Sequence, residues 1–242
     1  MNYNALLHAC GVILLGVVGI FFGDFALQWQ GVPKEVPRMP LAYVSAALLI
    51  AGGALILARR ERIGALVLAA FFGFWVVVFH LPATLKSASH IGTWNAPAEI
   101  TFLTMGGLAL FASYMQGSRR DYMLKAARVL AGASAMVFGS AHFNYIDFTA
   151  TFVPAWIPPS QVFWAWATGV GHLLAGFAMA SDTLARLAAT CLAGMMGSFA
   201  LLVHLPRVFN APDNHAEWIM LAVSSALSGS ALLIRRYATI KA

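Results

Sequence analysis

The chain has 242 residues, of which 60% are hydrophobic and only 10% charged, against roughly 25% charged in a soluble protein. A soluble fold of this length has too little interior for so much apolar surface, so the lipid bilayer is the expected solvent. The formal charge of +6 comes from basic residues clustered between apolar runs, which suits topology signals and anionic head groups better than nucleic acid.

The predicted elements follow in chain order. Met1-Asn2-Tyr3-Asn4 lacks the basic region of a secretory signal, so the first apolar run is read as a retained helix. Stretches without Asp, Glu, Lys or Arg run 5–23, 39–58, 63–85, 100–118, 129–146, 148–181, 187–206 and 218–234. Each approaches the roughly 20 residues a helix needs to cross the hydrocarbon. The stretch 148–181 is too long for one crossing, and Pro154, Pro158 and Pro159 break its first part. An external loop is expected there, with the sixth helix starting near Gln161. The fold class is therefore all-α: a polytopic membrane protein of eight transmembrane helices.

Basic residues sort the loops. Arg59, Arg60, Arg62, Arg119, Arg120, Lys125, Arg128, Arg186, Arg235, Arg236 and Lys241 fall on one side, and Lys34, Arg38, Lys86 and Arg207 on the other. That asymmetry places both termini in the cytoplasm, with loops near Lys34, Lys86, Trp156 and Asn210 outside.

The chain also repeats. His80-Leu81-Pro82 recurs 124 residues later as His204-Leu205-Pro206. The same interval maps Gly52 onto Gly176 and Gly73 onto Gly197. Val32 to Pro37 resembles Val153 to Pro158, and Ala98-Glu99 resembles Ala216-Glu217. Two four-helix units, 1–118 and 119–242, are expected to superpose as parallel repeats about an axis along the membrane normal, which disfavours inverted-repeat transporter architectures.

The second unit carries Gly139-Ser140-Ala141-His142-Phe143, Val153-Pro154-Ala155-Trp156-Ile157-Pro158-Pro159 and Gly169-Val170-Gly171-His172-Leu173-Leu174-Ala175-Gly176. These segments resemble the DoxX-like family of four-helix membrane proteins over residues 130–236, and residues 11–117 match it in outline. The resemblance implies a four-helix bundle per unit. Some members are associated with quinone-linked oxidation of sulfur compounds, and others act as assembly factors. Many members have an acidic residue where this chain has His172, so no role of that carboxylate carries over.

Ionisable side chains in hydrocarbon cost a few kcal/mol each, so they need a partner or a purpose. His142, His172, His204 and Glu217 are the candidate cofactor-binding residues, expected to converge in the second unit around a quinone carbonyl or, less readily, a metal. The plainer explanations stand beside this. His80 and His204 would serve helix ends near the carbonyls of Val78 and Leu202, which lose their donors to Pro82 and Pro206. Glu99 and Glu217 would favour helix N-termini. Trp94, Trp156, Trp164, Trp166 and Trp218 would form an interfacial belt. His8, Cys10 and Cys191 would be buried small or polar groups, and the glycine-rich faces would serve packing. At the 124 interval His172 corresponds to Leu48, and His142 to Val18 or, allowing for a shorter loop, Phe21, so a single site would belong to the second unit.

Three readings remain open: a quinone- or redox-cofactor-associated component of a bacterial inner membrane, a non-catalytic subunit that assembles with another membrane protein or redox partner, and a small-solute or metal transporter. No phosphate loop, nucleophile elbow or nucleic-acid motif is present.

Overall fold

The computed structural model describes residues 3–25, 32 and 36–238. Lys34, Lys241 and residues 33–35 of the segment Val32 to Pro37 lie outside the described residues. Helices dominate, and no strand occurs among the described residues. The long helices are α1 (Tyr3–Phe22), α2 (Arg38–Leu57), α3 (Glu61–Leu85), α4 (Asn95–Ala112), α5 (Ser118–Asn144), α6 (Gln161–Ser181), α7 (Ala185–Asn210) and α8 (His215–Tyr237). Six of them, α1, α2, α3, α6, α7 and α8, are long and apolar enough to cross a membrane. α4 is shorter and opens on Asn95, Pro97 and Glu99, while α5 opens on Arg119, Arg120, Asp121 and Lys125. α4 packs against α3, α5 and α8 and buries residues around its circumference, and a helix enclosed by protein needs less apolar surface than one facing lipid.

Local chemistry sets the ends. Ser160 caps α6 by accepting from the Phe163 N–H at 3.1 Å. Asn214 caps α8 by accepting from Ala216 and Glu217. The prolines of the 151–160 segment keep it irregular after the single turn Ile146–Ala150, so α6 starts at Gln161 as expected. Both His-Leu-Pro sequences distort their helix in the same way. The backbone widens to π geometry over Val76–His80 and Phe199–His204, and the N–H groups of Leu81 and Leu205 reach back five residues to Val76 and Ala200. Pro82 and Pro206 cannot donate to the carbonyls four residues earlier and would collide with them; a wide turn relieves both problems.

Equivalent contacts define how the halves correspond. Gly16 lies on the Ala46 carbonyl and the Ile50 side chain; Gly139 lies on the Gly169 carbonyl and Leu173. Gly53 lies on Ile13 and the Ala9 carbonyl; Gly176 lies on Met136 and the Gly132 carbonyl. These pairs are 123 residues apart, not 124. Arg59 and Asp182, at the same interval, both have φ 63° at the ends of α2 and α6. The turn after Asp182 then holds one further residue, Leu184, also at positive φ (53°), and beyond it the interval is 124. Gly73 faces Thr104 as Gly197 faces Ser228. Trp94 Nε1 donates to the Ala88 carbonyl at 2.9 Å, and Trp218 Nε1 to the Pro212 carbonyl at 2.8 Å.

This register corrects several expected pairings. Gly176 corresponds to Gly53 and not Gly52, His172 to Leu49 and not Leu48, and His142 to Gly19 and not Val18 or Phe21. Glu217 corresponds to Thr93 and not Glu99. The packing is symmetric too. α1 leans on α2 and α8, and α5 on α6 and α4, while α4 and α8 meet at the centre. There Gly106 lies against Ser230, its own counterpart. His8 is fully buried where α1 meets α8, with Nδ1 2.9 Å from Ser230 Oγ.

Candidate functional site

His142 and His172 are brought together by a close approach of α5 and α6. Gly169 makes it possible: a Cβ there would sit 3.0 Å from the His142 Cβ and 3.1 Å from the Phe143 ring. One turn further along α6, the His172 ring lies 5.1 Å from the His142 ring, centroid to centroid. Phe138 of α5 and Phe199 of the π turn in α7 flank His172 at 5.6 and 6.1 Å. His142 Nδ1 donates to the Phe138 carbonyl at 2.8 Å, which leaves Nε2 as an acceptor in the neutral ring. His172 is 2% exposed, and its buried Nδ1 has no hydrogen-bond partner.

His204 and Glu217 form a second pair. His204 Nδ1 lies 3.1 Å from Glu217 Oε2, and Arg207 Nη1 lies 3.2 Å from Oε1. The Arg207 guanidinium sits over the Phe152 ring at 4.5 Å. His204 therefore engages a carboxylate and not the freed Leu202 carbonyl. No hydrogen bond or ion pair joins the two pairs among the described residues. α7 connects them mechanically, with Phe199 against His172 and His204 five residues further along.

The first half lacks this chemistry. Gly19 and Leu49, the counterparts of His142 and His172, instead border a cavity of about 10 Å³ with Asp24 and Ser45 on its wall, room for about one water. His80, the counterpart of His204, is buried with Nε2 unpartnered. Ala83 stands where the second half has Arg207. Glu217 is the third residue of α8, consistent with a favourable helix-terminus charge. Glu99 is not so placed: it is the fifth residue of α4, and the 3-10 turn Ile91–Trp94 precedes it.

Sequence reasoning missed Arg207, whose signal is its position three residues after His204 on the side of Glu217. It also missed Arg128, counted only as a topology charge. Arg128 is buried between α5 and α6, donates to the carbonyls of Met179 and Ala180, and pairs through Nε with Asp182 at 3.3 Å. No group of three or more His, Cys, Asp or Glu suited to a metal ion occurs among the described residues. Trp156, Trp164 and Trp166 are exposed on and after the 151–160 segment.

Residues 123–205 match the DoxX family model. Over this stretch, about a third of its length, the chain is similar to the DoxX family of membrane proteins. The matched segment spans most of α5, all of α6 and α7 as far as Leu205, the three helices that carry His142, His172 and His204. No curated protein and no solved structure matches the chain.

Proposed function

We propose that this DoxX-like protein is a quinone- or redox-cofactor-associated membrane component whose site is centred on His142 and His172, with His204, Glu217 and Arg207 at its outer rim. The contact between two imidazoles inside one helix pair carries this reading. His172 is almost fully enclosed with a ring nitrogen unpartnered, a costly arrangement in hydrocarbon unless a ligand or water meets it. Phe138 and Phe199 supply flat apolar walls beside the imidazoles, a combination suited to an aromatic ring bearing polar oxygens. A quinone there would supply two-electron, two-proton chemistry, and the chain's own part would be to seat and orient the ring.

Two observations favour this over an assembly role or a transporter. Most glycine faces that could meet a partner, Gly52-Gly53, Gly106-Gly107, Gly132, Gly139 and Gly176, are already spent inside the molecule, whereas Gly194 on α7 faces open space. The histidines and acids also fail to form a three-ligand metal cluster among the described residues. We further propose that the chain is a tandem duplication of the DoxX-like unit, that all eight long helices cross a bacterial inner membrane, and that both termini are cytoplasmic.

The test is to purify the protein with its lipids, extract and identify bound quinones, and repeat this with His172→Leu and His142→Leu. His172→Leu should lose most of the bound ring while unfolding within a few degrees of the parent, because Leu fills a similar apolar volume. Equal quinone content in parent and both variants, or none in the parent, would overturn the reading.

A further inference from the structure

α4 and α5 are antiparallel neighbours that meet where the Phe102 and Phe138 rings lie 6.5 Å apart. Nearer the end at which α4 begins, Gly92 lies against the Tyr145 ring, so moving toward that end means moving back along α4 and forward along α5. Glu99 is three residues before Phe102, and Asn95 four residues before Glu99. Residues three or four apart share one face of a helix. His142 is four residues after Phe138 on the facing stripe of α5. Glu99, from the first half, and His142, from the second, therefore sit at the same level on facing stripes, and His142 already touches His172.

The polar atoms at this level are poorly matched to one another. Glu99 Oε1, Asn95 Oδ1 and His172 Nδ1 are all buried and have no hydrogen-bond partner. Buried polar atoms are nearly always paired, so several orphans along one seam indicate a guest that supplies their partners. The kind of guest follows from donor and acceptor balance. Glu99 Oε1 and Asn95 Oδ1 offer acceptors, and His142 Nε2 is an acceptor because its Nδ1 donates to Phe138. His172 Nδ1 can donate or accept according to its tautomer, so acceptors make up most of the lining. A quinone offers acceptors alone, whereas its reduced diol brings two O–H donors.

We propose that Glu99 completes the His142–His172 site across the seam between the halves, and that the completed site prefers an aromatic diol of the quinol class over the matching quinone. This rests on the reading above that the site seats a quinone-type ring. It makes the first half a contributor to the site, through a carboxyl whose counterpart in α8 is Val223.

The experiment uses the full-length protein in lipid nanodiscs under anaerobic conditions. Tetramethyl-benzoquinol and tetramethyl-benzoquinone are titrated separately and binding is followed by quenching of tryptophan fluorescence. The parent should bind the diol about tenfold more tightly, the discrimination expected from one well-made buried hydrogen bond. Glu99→Leu should abolish that preference by weakening diol binding alone. Glu99→Gln keeps an acceptor oxygen and nearly the same shape; it should retain part of the preference, and it decides the matter if Glu99→Leu does not fold. A parent without preference, or Glu99 variants that keep it intact, would overturn the inference. If His172→Leu then weakens both ring forms, the proposed function still stands. A parent that binds neither ring would remove both.

Discussion

At Gly169 a Cβ would come 3.0 Å from the His142 Cβ and 3.1 Å from the Phe143 ring, so these side chains of α5 must give by a few tenths of an ångström to admit one. Gly169→Ala should destabilise the protein by about 1–3 kcal/mol, the usual cost of overpacking, and should loosen the His142–His172 contact. Thermal unfolding of the purified variant checks the first effect, and weakened binding at the proposed quinone site checks the second. Arg128 makes a different residue-scale prediction. Its ion pair with Asp182 is well shielded, at 10% and 17% side-chain exposure, and breaking a buried pair from one side costs about 3–5 kcal/mol. Asp182→Asn should fall near the bottom of that range, because Arg128 keeps the Met179 and Ala180 carbonyls. Arg128→Met should cost more, because those carbonyls lose their donor as well. Urea or thermal unfolding of both variants gives the order, and the reverse order would show that the ion pair outweighs the carbonyl contacts. Residue identities let the sequence nominate His142 and His172, since imidazoles in apolar runs stand out. It did not reveal Arg128, because an arginine near a helix start reads as a topology charge until the neighbouring helix end is seen folded around it.

Among the elements, the two π turns join the repeat to the site. The turn at Phe199–His204 sets how far α7 rotates before reaching His204, and so whether that ring faces Glu217. Pro206→Ala returns a donor to the Leu202 carbonyl and removes the clash that favours the wide turn. The segment should revert to α geometry, rotating His204 relative to the rest of α7 and weakening its pairing with Glu217. A double-mutant cycle between His204→Leu and Glu217→Gln reports this: coupling should be measurable in the parent, on the order of 1 kcal/mol, and near zero in the Pro206→Ala background. Helix positions were legible from charge-free runs, and the start of α6 from the prolines before it. The register between halves was not. One extra residue at Leu184 shifts the interval from 123 to 124, and in so repetitive an apolar sequence both intervals align some glycine with another. The matching surroundings of Gly16 and Gly139, and of Gly53 and Gly176, separate them, as do the left-handed residues Arg59 and Asp182.

For the whole molecule, the helix packing has a pseudo-twofold pattern in which each half lends its first helix to the last helix of the other. The turns at 58–60, 113–117 and 182–184 share one end, and residues 86–94, 145–160 and 211–214 share the other. Cysteine labelling should find a residue placed at Arg120 or Arg186 protected in intact cells, and one at Lys86, Trp156 or Asn210 accessible to an impermeant reagent. It requires a background in which Cys10 and Cys191, both exposed on the molecule, have been replaced. Labelling from outside at Arg120 would reverse the proposed orientation.

The contact of Gly106 with Ser230 lies on that pseudo-axis, where each residue meets its own counterpart. In an assembly of two identical separate chains, this position would have to suit glycine against glycine or serine against serine. A Cβ at Gly106 would come 2.5 Å from the Ser230 Cβ, so serine against serine does not fit at this spacing. Joining the halves through the 113–117 turn frees the two positions from being the same residue. One can stay small enough for contact while the other carries the hydroxyl that His8 meets. The same freedom extends along the pseudo-axis, so one half can acquire a paired imidazole site while the other keeps Gly19 and Leu49.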